Sequence, residues 1–438
     1  MIETAKLTHP RRGLALSGGG YRAAAFHLGT LKKLHELGLL SGIEVISAIS
    51  GGSITGAAYC LHQGSFEEFQ TYMAGALLRC NVICYVLRSW AFLRFSAVVL
   101  TFLLVSGALL CTRWAPLSLV VVAMLIFVLF RFQFRLFPVS QEIEKAYNAF
   151  FYKGRTLQDL PETPILAIGT SNLQTGRPFT FSREWMADSA YTYYKPPVHF
   201  DAANFPVARA VAASSCVPFA FTPVTIDLEY FREPADTDRV QPQLIDGGVY
   251  DNQGMQKLTQ AGSRYECNII VVSDAGAGLN PVPTRDSSYP NTVSLLLRTV
   301  DLFMNRIKNV QMIAHLFQRA TAHSRCVAYL SLGWQLKNSI PGFIDNLAQG
   351  NVSPAVITAR RLLPEWEANP KKHRTAITEH LERQLDYSTL AARDLTPADW
   401  QTVCRIGTNL TPLTPAQLEL LIRHAENLTE IQVKLYLP

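Results

Sequence analysis

Three short stretches of this 438-residue chain carry residues suited to acyl-transfer chemistry: Ser17-Gly18-Gly19-Gly20-Tyr21-Arg22, Ala48-Ile49-Ser50-Gly51-Gly52 and Leu244-Ile245-Asp246-Gly247-Gly248. A serine on a sharp turn between a strand and a helix presents its hydroxyl outward, and that turn demands small residues two positions before and after it. Ser50 meets the demand, with Ala48 and Gly52 at those positions. Ser53 is the rival, because Gly51-Gly52-Ser53-Ile54-Thr55 fits most of the same pattern. It falls inside the helix, however, whereas Ser50 stands where the apolar run Val45 to Ile49 ends. A serine that merely caps the helix would leave the glycine pair unexplained.

The loop Gly18 to Gly20 ends the preceding apolar run and opens a helix. Glycines there let backbone N–H groups approach a ligand, and a helix N-terminus adds positive potential, so the loop suits an oxyanion, with Arg22 as a brace or a nearby cation. Gly18-x-Gly20-x-x-Ala23 also meets the dinucleotide spacing. That site would want an acid at the end of the second strand, where Ser50 stands instead, and no Gly-Lys-Ser/Thr follows to make a P-loop.

Serine needs a base, and none of the ten histidines sits in a motif-like turn after a strand; His27 and His35 lie on the first helix. Asp246 directly follows a short apolar run, with Gly247 and Gly248 keeping the approach open, although an ordinary Asp-Gly turn has the same appearance. Asp251 and Asp274 are weaker candidates of the same type.

The elements that must hold these groups follow from the periodicity. Gly13 to Leu16 reads as a strand, Tyr21 to Leu37 as a helix closed by Gly38, Glu44 to Ile49 as a strand and Ser53 to Cys60 as a helix. Two buried strands around one helix make a βαβ unit, hence a parallel sheet covered on both faces. Further strands are expected at Ile165 to Ile168, Gln243 to Ile245, Ile269 to Val272 and Val327 to Leu332, with helices at Val207 to Ala213 and Val293 to Arg319. Beyond 335 the pattern is helical, ending in an amphipathic helix from Pro415 to about Lys434.

The composition shifts abruptly between 80 and 137. Phe95 to Thr112 and Trp114 to Phe130 are uncharged runs of 18 and 17 residues separated by Arg113, with Trp114-Ala115-Pro116 as the turn. As helices they span roughly 26 Å, near the lower limit for a bilayer core of about 30 Å. They lack a polar face, so a membrane-inserted hairpin is expected over a buried soluble one, with a re-entrant hairpin as the main alternative. Arg79, Arg88, Arg94, Arg131 and Arg135 flank it, which by the positive-inside rule puts both ends and the catalytic domain on the cytoplasmic side. The leading Met1 to Lys6 lacks a signal-peptide pattern.

With 48% hydrophobic residues the chain can bury a large core. Its net charge of +6 is spread without any Lys/Arg run longer than two, which argues against nucleic acid as a partner. Eight scattered cysteines form no CxxC pair or zinc-like cluster and are expected to be reduced; no metal or cofactor is expected.

Together the three motifs resemble those of the patatin-like phospholipase family, whose catalytic core is related to that of cytosolic phospholipases. A fourth stretch, Ala212-Ala-Ser214-Ser-Cys216-Val-Pro218 continuing to Pro223, resembles the family's Ala-Ser segment near the active site. Ala48 stands where the family's elbow has its first glycine, and the apolar hairpin is an insertion. The resemblance implies a three-layer α/β fold with a mainly parallel central sheet, formed by 1–79 and 138–334, interrupted by a membrane hairpin at 80–137 and followed by a C-terminal helical extension at 335–438. It implies a Ser50–Asp246 dyad with Gly18, Gly19 and Gly20 as oxyanion donors, each worth about 3–4 kcal/mol. It also implies ester-linked acyl groups of phospholipids or lysophospholipids as substrate. An acyltransferase, thioesterase or neutral-lipid esterase on the same dyad, and a non-catalytic lipid-binding protein, are the alternatives.

Overall fold

The computed structural model describes residues 10–219, 221–277, 291–321 and 325–438; the leading Met1 to Lys6 lies outside them. The strands are β1 (Arg12–Leu16), β2 (Val45–Ile49), β3 (Ile165–Asn172), β4 (Arg177–Phe181), β5 (Met186–Asp188), β6 (Val224–Thr225), β7 (Gln243–Asp246), β8 (Ile269–Asp274) and β9 (Cys326–Ser331). They form one sheet ordered β5-β4-β3-β2-β1-β8-β9, with β7 paired to β3 and β6. The five strands from β3 to β9 along that path are parallel, while β4, β5, β6 and β7 add antiparallel pairs at one side.

The chain leaves β1 toward β2 and β3 and only later returns to place β8 on the other side of β1. The order therefore reverses at β1, and ligands of open α/β sheets bind beyond the carboxyl ends of the strands at such a point. The glycine loop and helix α1 (Gly20–Glu36) leave the carboxyl end of β1; Ser50 and helix α2 (Gly51–Leu61) leave that of β2.

The pairing of β3 decides where Asp246 arrives. Along one edge β3 pairs with β4 from Ile168 to Asn172, so β2 and β7 must share the other edge. The parallel ladder of β2 runs up that edge until Ile49 lies opposite Gly169, and the antiparallel ladder of β7 runs down it until Asp246 lies opposite Thr170. The two strands thus meet carboxyl end to carboxyl end, and the next residue of one is Ser50 while the last of the other is Asp246. Gly247 makes the meeting feasible: a Cβ there would stand 2.3 Å from the Gly169 carbonyl oxygen, which is backbone and cannot swing away.

Both faces of the sheet are covered, as its continuous apolar strands require. One core gathers Leu14, Ile46 and Leu166 with α1, α2 and the helix Pro415–Tyr436; the other gathers Val45, Ile270 and Tyr329 with Met255 and Leu258. The region beyond 335 packs on this body. Its last helix is fastened to α1 by Lys32–Glu426 (2.5 Å) and Lys33–Glu430 (3.2 Å), and the Tyr21 amide donates to the Asn409 carbonyl at 3.0 Å. All eight cysteines are free thiols.

The inserted helices run Trp90–Leu110 and Leu117–Leu136, about 30 Å each. They exceed the uncharged runs because the Ser89 hydroxyl caps the first from the Phe92 amide, and the second continues through Arg131 and Arg135. They pack on each other, and only Ala91, Ser106, Ser118 and Leu125 within them are buried. Both are long and apolar enough to cross a membrane.

Replacing Gly247 by Ala is expected to destabilise the protein by about 1–3 kcal/mol through overpacking against Gly169. The check is a lower midpoint of thermal inactivation, with activity lost further than stability because the strand ends separate.

Candidate active site

Ser50 adopts φ 48° and ψ −116°, a left-handed conformation that costs a non-glycine residue about 1–3 kcal/mol and persists only where the surroundings impose it. Here the Ser50 amide donates to the Ser214 hydroxyl at 2.9 Å, and Ser214 in turn donates to the Gly169 carbonyl at 2.7 Å. The Gly52 amide donates to the Ser17 carbonyl at 3.0 Å, binding the elbow to the glycine loop. Gly51 sits so close to that loop that a Cβ would stand 2.2 Å from the Gly20 carbonyl oxygen. Ala48 is tolerated because its methyl faces Gly56.

Asp246 is held as firmly. Its amide donates to the Cys216 carbonyl at 2.8 Å, the Gly247 amide to the Ser214 carbonyl at 3.3 Å, and the Gly248 amide to its own carboxylate at 2.7 Å. The segment Ser214 to Cys216 therefore braces Ser50 and Asp246 together. Burial drives the Asp246 carboxyl up to about 6, against hydrogen bonds from the Gly248 amide and the Ser50 hydroxyl that favour the charged form. An ordinary aspartate is a weak base toward a serine; one raised to about 6 is better matched to neutral pH while still ionised there.

Ser50, Asp246, Gly18, Gly19, Gly20 and Arg22 line one cavity of about 400 Å³. Ser53 does not line it: it is buried in α2 with its hydroxyl 3.0 Å from that of Ser214. Among the described residues no histidine lines it either. His27 is buried between the Ser273 hydroxyl (2.8 Å) and the Ser17 carbonyl (2.9 Å), and burial pushes its ring down to about 4. Asp251 is turned to its own loop, accepting from the amides of Gln253 and Gln256. Asp274 reaches the cavity wall; burial would raise its carboxyl, but the Lys308 ammonium at 2.5 Å and the Tyr329 hydroxyl at 2.7 Å hold it below the usual range.

The glycine loop differs from expectation at one residue. The Gly18 amide donates to the Asn252 carbonyl at 2.9 Å and is thus already engaged. Among the described residues the amides of Gly19, Gly20 and Gly51 carry no acceptor. Gly20 has φ 56°, and a Cβ on it would stand 2.5 Å from the Asn409 carbonyl oxygen. Arg22 braces this corner: burial lowers its guanidinium's pKa, it donates to the Ile406 carbonyl at 2.9 Å, and its Nε has no partner among the described residues. Asn252 and the loop 406–409 were not foreseen; they act through backbone carbonyls, which leave no side-chain signature.

The family model for patatin-like phospholipase matches residues 14–256, more than half of the chain and every residue of the three motifs from Gly18 to Gly248. The chain belongs to the patatin-like phospholipase family. No curated protein matches it. Among solved structures it is similar to human GIVD cytosolic phospholipase A2 with methyl gamma-linolenyl fluorophosphonate and terbium chloride (14% identity, TM-score 0.46, covering 97% of this chain and 58% of that one). Another structure of the same human enzyme has 12% identity, TM-score 0.44 and coverages of 97% and 61%. VipD from Legionella pneumophila has 14% identity, TM-score 0.32 and coverages of 90% and 83%. The chain thus spans about three-fifths of the human structures.

For this patatin-like site, kcat/KM on a soluble ester is expected to fall about tenfold per pH unit below about 6, as Asp246 takes up a proton and can no longer accept one from Ser50, and to level off above. Asp246→Asn should remove that acid limb and lower kcat by roughly 10²–10⁴-fold. A pH–rate profile of both proteins is the measurement.

Proposed function

We propose that the protein is a membrane-associated serine acyl hydrolase that cleaves ester-linked fatty acids from phospholipids or lysophospholipids. The observation that carries this is the meeting of the strained Ser50 and the buried Asp246 at the ends of β2 and β7, inside a cavity that also has an apolar side formed by Val217, Phe219, Leu297, Val300 and Met304.

The Ser50 hydroxyl gives its proton to Asp246 as its oxygen attacks the ester carbonyl, and the charge on the carbonyl oxygen is taken by the amides of Gly19 and Gly20, with Gly51, the residue after the nucleophile, as a third donor. Collapse breaks the ester C–O bond, Asp246 returns the proton to the departing alkoxide, and the acyl group remains on Ser50. Water, deprotonated by the same carboxylate, then releases the fatty acid and restores both residues. Arg22, Gly247 and Gly248 position these groups without reacting.

Acyl chains are nearly insoluble in water, so an enzyme fixed in the bilayer meets them by lateral diffusion. The hairpin of Trp90–Leu110 and Leu117–Leu136 serves that end, and the arginines at its base favour the cytoplasmic side and an anionic leaflet. The hairpin also springs from the active-site side: the Val82 amide donates to the Leu410 carbonyl at 3.2 Å, two residues from cavity-lining Thr408, and the Ser140 hydroxyl donates to the Thr222 carbonyl on the segment that carries Val217 and Phe219.

Reconstituted protein is expected to release free fatty acid from a lysophospholipid or phospholipid panel, with Ser50→Ala at least about 10⁴-fold slower and Ser53→Ala within about tenfold of wild type. Preferential transfer of the acyl group to an acceptor other than water would make it an acyltransferase, and an inert wild type would make it a lipid-binding protein.

A further inference from the structure

The helix Thr292–His315 forms one wall of the catalytic cavity through Leu297, Val300 and Met304, and is pinned from inside by Lys308, whose ammonium pairs with buried Asp274. Near its end Met312 and Leu316 pack on the core beneath the sheet. An inner face so engaged is enough for a helix at a protein surface. Yet the opposite face carries large apolar residues as well: Leu295, Leu302, Phe303, Val310 and Ile313 recur at helical spacing around the exposed Arg306 and are each more than half exposed, from 53% to 60%. An outer stripe this long on a folded surface marks contact with something apolar.

The stripe is continuous with the mouth of the cavity. Leu297 belongs to both the cavity lining and the exposed surface, as do Val217 and Phe219 across the opening. The segment carrying Val217 and Phe219 is the one bonded to Ser140, at the foot of the membrane hairpin. The rim therefore adjoins the foot of the hairpin. Charge agrees: between 292 and 319 the chain carries Arg298, Arg306, Lys308 and Arg319 against Asp301 as its sole acid, and Lys308 is turned inward. Apolar residues on one stripe beside arginines are the pattern of a helix lying in the plane of an anionic membrane surface.

We infer that the outer face of the helix Thr292–His315, with Val217, Phe219 and Leu297, is a second membrane-contacting surface, which seats the mouth of the cavity in the interface of an anionic bilayer so that lipid passes from the leaflet to Ser50 without crossing water. This rests on the membrane association proposed above. The hairpin alone would hold the enzyme to the membrane; the helix sets which way the cavity faces.

Two measurements on the full chain in phosphatidylcholine/phosphatidylserine vesicles test it. In the wild type, a phospholipid carrying a diazirine on its acyl chain should photolabel Leu302, Phe303, Val310 or Ile313 as well as the hairpin. In the double variant Phe303→Asp/Ile313→Asp, whose side chains stay outside the cavity, hydrolysis of vesicle lipid should fall at least about tenfold while hydrolysis of a soluble short-chain ester is unchanged. Labelling confined to 90–136, a variant as fast as wild type on vesicles, or cross-linking of two copies through Phe303 and Ile313 would overturn the inference while leaving the hairpin reading intact. If the hairpin itself goes unlabelled, the membrane reading fails and this inference with it. Should the variant lose soluble-ester hydrolysis as well, the wild-type photolabelling decides alone.

Discussion

Strand β3 is longer than its neighbour β2, and almost everything about the site follows from what fills the remainder of that edge. Because β2 stops opposite Gly169 and β7 arrives from the other direction to stop opposite Thr170, Ser50 and Asp246, almost two hundred residues apart in the chain, are set side by side by backbone ladders. Backbone ladders are stiff, so the pair needs no flexible side chain to find its partner. Ser214 to Cys216 then joins the two strand ends with three hydrogen bonds, and the strain at Ser50 is held by those bonds and by the pressing of Gly51 against Gly20.

The same closeness sets the electrostatics. A carboxylate at the buried end of a strand loses hydration, and the Gly248 amide and Ser50 hydroxyl restore only part of it, which leaves Asp246 near 6. That shift makes an aspartate serviceable as a base without a histidine between it and the serine. It also means that ionised Asp246 costs stability, so the folded state loses some as pH rises from the ordinary carboxylate range through about 6. Gly19 and Gly20 lie in a corner packed from outside by the loop 406–409, so the C-terminal region shapes the pocket around them.

Much of this was legible in the sequence where signals are local. The run Gly13 to Cys60 alternates short apolar strands with helices and places glycines at each join, and its elements fall within a residue or two of expectation. The two apolar helices were equally plain, since long uncharged runs fill them, and their greater length reflects a helix that continues through its flanking charges. The pair β4 and β5 was missed because Arg177–Phe181 and Met186–Asp188 are short and follow no clean alternation. The glycine loop gives Gly18 the appearance of a free donor, since no sequence pattern reveals that the Asn252 carbonyl, 234 positions away, occupies its amide. Asp246 was legible as a residue type but not as a strong base, because burial is a property of the fold.

The proposed nucleophile is Ser50 and no other hydroxyl. Ser53 lies one helical turn away with its hydroxyl bonded to Ser214, so a reagent that reacts with an activated serine discriminates between them. Peptide mapping by mass spectrometry of the wild-type protein after inactivation by an alkyl fluorophosphonate is the most direct measurement. A single phosphonyl adduct on Ser50 is predicted; an adduct on Ser53 or on Ser17, or full inactivation with Ser50 unmodified, would contradict the account.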